Sequence, residues 1–115
     1  MISVNKIELI GNIGKKAVLK ELSNGKLLYV FDLFTNDVYT DKNGERQSTP
    51  ERHRIKAYGN TASLINEKCS EGDLVMVEGR MTYHEYDDGD RVAEVRCDRF
   101  IRFDVVSHFV EVEYK

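Results

Sequence analysis

The stretch that decides the fold is Glu51-Arg52-His53-Arg54-Ile55-Lys56-Ala57-Tyr58-Gly59. Successive side chains of a β-strand point to opposite sides, so a strand over this stretch has two unlike faces. One face is basic and aromatic, with Arg52, Arg54, Lys56 and Tyr58. The other face is mostly apolar, with His53, Ile55 and Ala57. This alternation predicts a strand that packs one face on a core and exposes a basic face.

The basic face permits two interpretations. Cations in line with an aromatic ring suit a phosphate backbone that has an exposed base beside it. Charge runs also occur as solvated strand faces that only keep a sheet soluble. Both interpretations are open on this stretch alone.

The composition predicts one soluble globular domain over residues 1–115. Lys and Arg number 17 against 20 Asp and Glu, which gives a net charge of −3. This balance counts against duplex binding through overall positive charge, but it leaves room for a locally basic groove.

The two cysteines, Cys69 and Cys97, form no CxxC pair. They are therefore predicted to be buried thiols in a reducing cytosol, and we expect no metal and no other cofactor. We see neither a signal peptide nor an apolar run long enough to span a bilayer, so a cytoplasmic, nucleoid-associated protein is expected.

The first half of the chain predicts strands joined by tight turns. Gly11 and Gly14 suggest a bulge or bend at the end of the first strand. The second strand is rich in aliphatic and aromatic residues, which predicts a central position with both faces buried. The predicted elements are strand Val4–Ile13, an extended stretch Ala17–Leu22, a turn Ser23–Lys26, strand Leu27–Thr35, and an exposed loop or protruding hairpin over 36–49.

The second half predicts one helix and two long strands. Asn60 or Thr61 is expected to cap the helix, and Gly72 to end it. Gly79 is expected to bend the strand that follows. The predicted elements are helix Asn60–Cys69, strand Asp73–Tyr86, a turn 87–90, strand Arg91–Phe103 and an edge strand Val105–Tyr114.

This order predicts an all-β fold with one helix. A five-stranded barrel with a helix between strands 3 and 4 is the oligonucleotide/oligosaccharide-binding (OB) fold. A fold does not by itself establish a function, so the site must supply that argument.

Several stretches, in this order and spacing, resemble the bacterial single-stranded DNA-binding protein family. The resemblance runs from about Asn5 to Phe103 and covers nearly the whole chain. The stretches that carry it are Asn5–Gly14, Asn24-Gly25 followed by Val30–Leu33, His53-Arg54-Ile55 through Tyr58-Gly59, and Gly72–Gly79.

The resemblance implies that bases stack on Tyr39, Tyr58 and Tyr86. Arg52 stands where the family often has tryptophan, and an arginine plane can also stack on a base. The resemblance also implies basic contacts at Lys6, Lys42 and Arg54. With the cations of the predicted strand faces added, the expected DNA-binding residues are Lys6, Tyr39, Lys42, Arg52, Arg54, Lys56, Tyr58, Arg80 and Tyr86.

The resemblance also implies subunit contacts at His53 and a homotetramer, with a dimer possible. Asn60, Glu71 and Glu85 fall where the family tends to be basic, so we expect weaker binding than is typical. The sequence stops at Glu111–Lys115 without the family's Gly/Gln/Pro-rich linker and acidic tip, so tail-mediated recruitment of repair enzymes is not expected. This ending suggests a phage, plasmid or accessory version, or a protein cut at the domain edge.

Two other classes of function compete. A nuclease would need carboxylates or histidines clustered around a metal ion. No carboxylates recur at a metal-binding spacing, and the spacing of His84 and His108 does not suggest a metal site either. We therefore expect no catalytic residues. A primosome-type or protein-interaction barrel with weak nucleic-acid binding is the alternative. Tyr39 and Tyr86 count against it, because such a module has no need of separated aromatics flanked by cations. The function that we expect is binding of single-stranded DNA without marked sequence specificity, protecting it during replication, recombination or repair.

Overall fold

A computed structural model describes residues 1–103 and, beyond them, the pairs 105–106 and 109–110. The elements in chain order are β1 Ile7–Lys16, β2 Lys20–Glu21, β3 Leu27–Thr40, β4 Arg46–Tyr58, α1 Gly59–Lys68, β5 Leu74–Glu85, β6 Arg91–Arg102, β7 Val105–Val106 and β8 Phe109–Val110. In the described residues, no helix is both long and apolar enough to cross a membrane.

Five long strands close into a barrel. Strand β1 pairs antiparallel with β5 on one side and with β3 on the other, which completes the order β1-β5-β6-β4-β3. Strands β4 and β6 run parallel, with Ile55 opposite Val95. Because α1 joins β4 to β5, it stands between the third and fourth strands of the barrel. This arrangement confirms the predicted OB-fold.

The barrel interior is filled by alternate residues of its strands. Tyr29, Phe31 and Leu33 of β3 are buried beside Ile55 and Ala57 of β4. Helix α1 adds Ala62 and Ile65 to the same core. Burial of one face per strand leaves the opposite face of β4 and its neighbours on the outer surface of the barrel.

Two glycines allow the strands to approach each other closely. A Cβ atom on Gly79 would lie 1.8 Å from the main-chain oxygen of Arg96, and one on Gly11 would lie 2.1 Å from that of Phe34. The β5–β6 register shifts between Glu78 and Gly79, and the β1–β3 register shifts between Ile13 and Lys16. The predicted irregularity is confirmed at Gly79 and, for the end of β1, at Gly14, which lies within the second shift, whereas Gly11 lies in regular β1–β5 pairing.

Four local predictions were wrong. One is the helix end, because α1 ends at Lys68 with Cys69 as its C-cap residue and Gly72 lies beyond it. Strand β3 is not buried on both faces, because Val30, Asp32 and Phe34 lie half-buried on the outer surface. The extended stretch Ala17–Leu22 forms only the two-residue strand β2. Helix α1 begins at Gly59 with Tyr58 as its N-cap residue and no side-chain capping bond, so neither Asn60 nor Thr61 caps it.

The stretch 36–49 forms a protruding hairpin, one of the two predicted forms. Strands β3 and β4 stay paired out to Thr40 and Arg46, far beyond the barrel wall. At the other end, Val105–Tyr114 was predicted as one edge strand. The structure instead pairs β7 with β8, and residues 104, 107–108 and 111–115, including His108, lie outside the described residues.

Candidate nucleic-acid interface

The outer face of β4 carries the basic and aromatic side chains that the alternation predicted. Arg52, Arg54, Lys56 and Tyr58 lie opposite Phe34, Asp32, Val30 and Leu28 of β3, respectively. Ile55 and Ala57 point the other way and are fully buried. The two-faced character of the stretch is confirmed.

A groove of about 340 Å³ crosses this outer face. Arg54 and Lys56 line it together with the buried carboxylate of Glu94 from β6. A third cation, Lys20, also lines the groove. The rest of the lining consists of apolar side chains and two rings, which are Ala17, Val18, Leu28, Val30, His84 and Tyr86. Cations, rings and apolar walls therefore meet in one open channel.

Tyr86 borders the groove at the end of β5. The Nη1 group of Arg54 donates a long hydrogen bond of 3.4 Å to its hydroxyl oxygen. The ring of His84 meets the Tyr86 ring edge to face, at 4.5 Å between centroids. Tyr86 remains 40% exposed, so a ring already oriented by two neighbours is open to a base.

Tyr58 has two cations over its ring. Lys26 Nζ lies 5.2 Å and the Arg96 guanidinium 5.0 Å from the ring centroid, which is cation–π distance. Neither residue was among the predicted site residues. The alternation of β6 puts Arg96 on the outer face, but its closeness to Tyr58 follows from the parallel β4–β6 pairing, which sequence alone does not give.

Several of the predicted phosphate-binding cations are paired with carboxylates. Lys56 Nζ lies 2.9 Å from Glu94 Oε1, and Arg54 Nη1 lies 3.7 Å from Glu94 Oε2. The exposed pairs are weaker, since Arg80 lies 3.4 Å from Asp98, and Lys6 4.0 Å from Glu78. Within residues 1–103 no ion pair is found for Arg52 or Lys42.

The protruding hairpin separates Tyr39 from the other predicted rings. The β3–β4 register is unbroken, so Val38 shares the face of Phe34 and Arg52, whereas Tyr39 lies on the opposite face. Both side chains are more than half exposed. The structure therefore does not bring Tyr39 together with Tyr58 and Tyr86 on one face.

Lys42 lies in the turn at the tip of this hairpin. Asp41 organises the turn, since its carboxylate accepts hydrogen bonds from the main-chain N–H groups of Glu45 and Asn43 and from the side chain of Gln47. The bond from Glu45 is the main reason that the pKa of Asp41 lies below its usual value. The tip is thus a shaped turn that presents Lys42 to solvent.

His53 lies on the apolar face of β4, as predicted. It is half-buried, and its Nε2 atom lies 2.9 Å from Thr35 Oγ1. Its predicted place in a subunit contact stays a prediction.

The cysteines do not form a reactive site. Both Cys69 and Cys97 are buried and unbridged. Burial, with a smaller contribution from Asp98, raises the pKa of Cys97 to about 12. In the part of the chain that the structure describes, no group of three or more His, Cys, Asp or Glu residues is placed to hold a metal ion.

A closed OB barrel with a basic, aromatic groove defines a class of nucleic-acid-binding proteins. Within that class, residues 4–105 match the single-strand binding protein family, and the chain belongs to this family.

Relatives of known name agree with this membership. The chain is 30% identical over 96 residues to a single-stranded DNA-binding protein of Neisseria meningitidis, which covers 84% of this chain and 55% of that one. It is 32% identical over 99 residues to single-stranded DNA-binding protein 1 of Chlorobaculum tepidum, covering 82% and 61%. The chain thus spans a little more than half the length of these two relatives.

Solved structures show the same fold. A Plasmodium falciparum SSB complex with ssDNA superposes with a TM-score of 0.78 at 30% identity, covering 90% of this chain and 98% of that one. A deletion mutant of the Thermus aquaticus protein gives a TM-score of 0.77 at 23% identity, covering 94% and 54%, and supports the fold alone.

Proposed function

We propose that this chain binds single-stranded DNA without marked sequence specificity. The observation that carries the proposal is the groove in which Arg54, Lys56 and Tyr86 meet. Phosphates bind the cations, and bases stack on Tyr58 and Tyr86, with Arg52 as a further planar surface. Family membership and the likeness to a protein described in complex with ssDNA support this function.

The predicted contacts outside the groove belong to the same proposal. Lys6 is exposed just before β1, Arg80 is exposed on β5, and Lys42 lies at the hairpin tip. Tyr39 stacks a base on the opposite face of the hairpin. The bound DNA strand must pass around the hairpin to reach it.

Low sequence specificity follows from the chemistry of these groups. Every base has a π-face, and every nucleotide has a phosphate, so stacking and ion pairing do not distinguish sequences. Helix α1 is packed on the barrel through Ala62 and Ile65, and it has no basic face of the kind that enters a major groove.

The test compares oligo-dT with a duplex of equal length at the same salt concentration, read by quenching of tyrosine fluorescence. We expect tighter binding of the single strand. Equal or tighter binding of the duplex would contradict the proposal. No quenching by oligo-dT would favour a primosome-type or protein-interaction module instead.

We further propose that the chain assembles as a homotetramer. His53 and β1 are the proposed contacts, and the half-exposed Ile10 offers an apolar group on β1. Light scattering at micromolar concentration should give four times the chain mass. A monomeric mass would contradict this assembly, and a dimer would favour the primosome-type alternative.

The proposed biological role is protection of single strands during replication, recombination or repair in the cytoplasm, by residues 1–115 acting as one domain. The chain needs no catalytic residue and no cofactor for this role, and the family it belongs to is a non-catalytic one.

A further inference from the structure

Glu94 has an environment unlike that of the other carboxylates of the described residues. It is the one charged residue there that is buried, at 3% exposure, yet it lies on the outer side of β6 beneath the groove. A buried carboxylate is costly unless it is paired. Glu94 is paired twice, with Lys56 at 2.9 Å and with Arg54 at 3.7 Å.

The two cations are not held equally. Lys56 is the nearer to Glu94, and its side chain is 22% exposed, whereas that of Arg54 is 45% exposed and also reaches Tyr86. Among these three groups, one carboxylate against two cations leaves one net positive charge. The distances assign the cancelled charge to Lys56 and the remaining charge to Arg54.

We propose that Glu94 is a positioning residue that cancels the charge of Lys56 and leaves Arg54, of these two cations, free to bind phosphate. This inference rests on the proposed function. It narrows the proposed function, in which phosphates bind the groove cations in general, because the charge of Lys56 is taken up by Glu94. Glu94 then lowers the affinity of the groove for DNA at low salt while holding both cations at its floor.

The salt dependence of binding reports this directly. The slope of log K against log[salt] falls by about 0.7 for each phosphate of a single strand that a protein cation neutralises. A lysine whose charge is cancelled by a carboxylate 2.9 Å away neutralises little phosphate charge, so it contributes little to the slope. A merely structural role for Glu94 would leave the slope unchanged.

The experiment measures oligo-dT affinity from low to high salt for Glu94→Gln, a near-isosteric change that releases Lys56. The slope should steepen by about 0.7, which corresponds to roughly eightfold tighter binding at 0.05 M salt if affinity at 1 M is unchanged. The control is Glu67→Gln on α1, which makes the same change in net charge away from the groove and should not alter the slope.

The double variant Lys56→Met/Glu94→Gln tests the proposal even if Glu94→Gln alone folds poorly. It removes both charges of the Lys56–Glu94 pair, so neither is left without its partner. Its slope should equal that of the unaltered protein. A slope shallower by about 0.7 in the double variant, or an unchanged slope in a folded Glu94→Gln, would overturn the proposal. Failure of the unaltered protein to bind oligo-dT would instead contradict the proposed function itself.

Discussion

The Nη1 atom of Arg54 lies 3.4 Å from the hydroxyl oxygen of Tyr86, although 32 residues separate them in the chain. A side chain of the barrel wall thus contacts the residue that leads into the β5–β6 turn. The contact places a positive charge beside a ring, which is the pairing that binds one nucleotide through its phosphate and its base.

The ring of Tyr86 should matter more than its hydroxyl group. Tyr86→Phe removes a long, exposed hydrogen bond and keeps the stacking surface, so oligo-dT affinity should fall by less than about 1 kcal/mol. Tyr86→Ala should lose about 1–3 kcal/mol. Equal losses in the two variants, measured by fluorescence anisotropy of a labelled oligonucleotide, would mean that the hydroxyl group carries the contact.

Arg52 tests whether a guanidinium replaces a stacking ring. It is exposed, lies opposite Phe34, and has no ion pair within residues 1–103. Arg52→Lys keeps the charge but removes the planar surface, so affinity should fall while the salt slope stays the same. If Arg52→Lys binds as tightly as the unaltered protein and Arg52→Gln flattens the slope by about 0.7, Arg52 contacts phosphate only.

Tyr39 should contribute only to strands long enough to pass around the hairpin. It lies on the face opposite to Arg52, so an oligonucleotide of about 6 residues that occupies the groove does not reach it. Tyr39→Ala should therefore weaken binding of a strand of about 30 nucleotides and leave the short one unaffected. Val38→Ala, on the groove side of the hairpin, is the matched control. An equal loss on both lengths would place Tyr39 within the main binding path.

Stability should fall at alkaline pH because of Cys97. Its pKa is about 12 in the folded protein against 9.0 for a free thiol, so above pH 9 the unfolded chain releases a proton that the folded one keeps. Between pH 8 and pH 10 this group should remove about 1.4 kcal/mol from the free energy of unfolding. Urea denaturation under reducing conditions measures it by comparison with Cys97→Ala, in which this part of the pH dependence is absent. Identical pH dependence in both proteins would exclude a buried, protonated thiol.

The elements set by local pattern were predictable from sequence. The alternation of residue types in β4 correctly predicted which of its side chains are buried and which lie on the outer face. Asn24-Gly25 correctly predicted a turn, in which Gly25 has a φ of 82°. Gly79 marked the irregularity in β5 because only a residue without a side chain fits against Arg96. Each of these follows from a short stretch of chain.

The features that were missed depend on contacts between distant segments. The pairing of Glu94 with Lys56 requires the parallel β4–β6 register, which no local pattern encodes. The face on which Tyr39 lies depends on how far the β3–β4 pairing continues without a bulge. The apolar run of β3 looked buried on both sides, but its outer residues instead border the groove, as Leu28 and Val30 do.

One salt titration tests most directly whether the outer face of β4 and the groove beside it bind single-stranded DNA. It separates stacking on the rings from phosphate binding by the cations. The affinity of a single oligo-dT is measured across a range of salt for the unaltered protein, Tyr86→Ala and Arg54→Gln. Tyr86→Ala should give a parallel line displaced to weaker binding, because stacking releases no counterions. Arg54→Gln should give a line shallower by about 0.7 that approaches the unaltered protein at high salt. Equal changes of slope in both variants, or unchanged affinity in either, would contradict the assignment of this face to DNA.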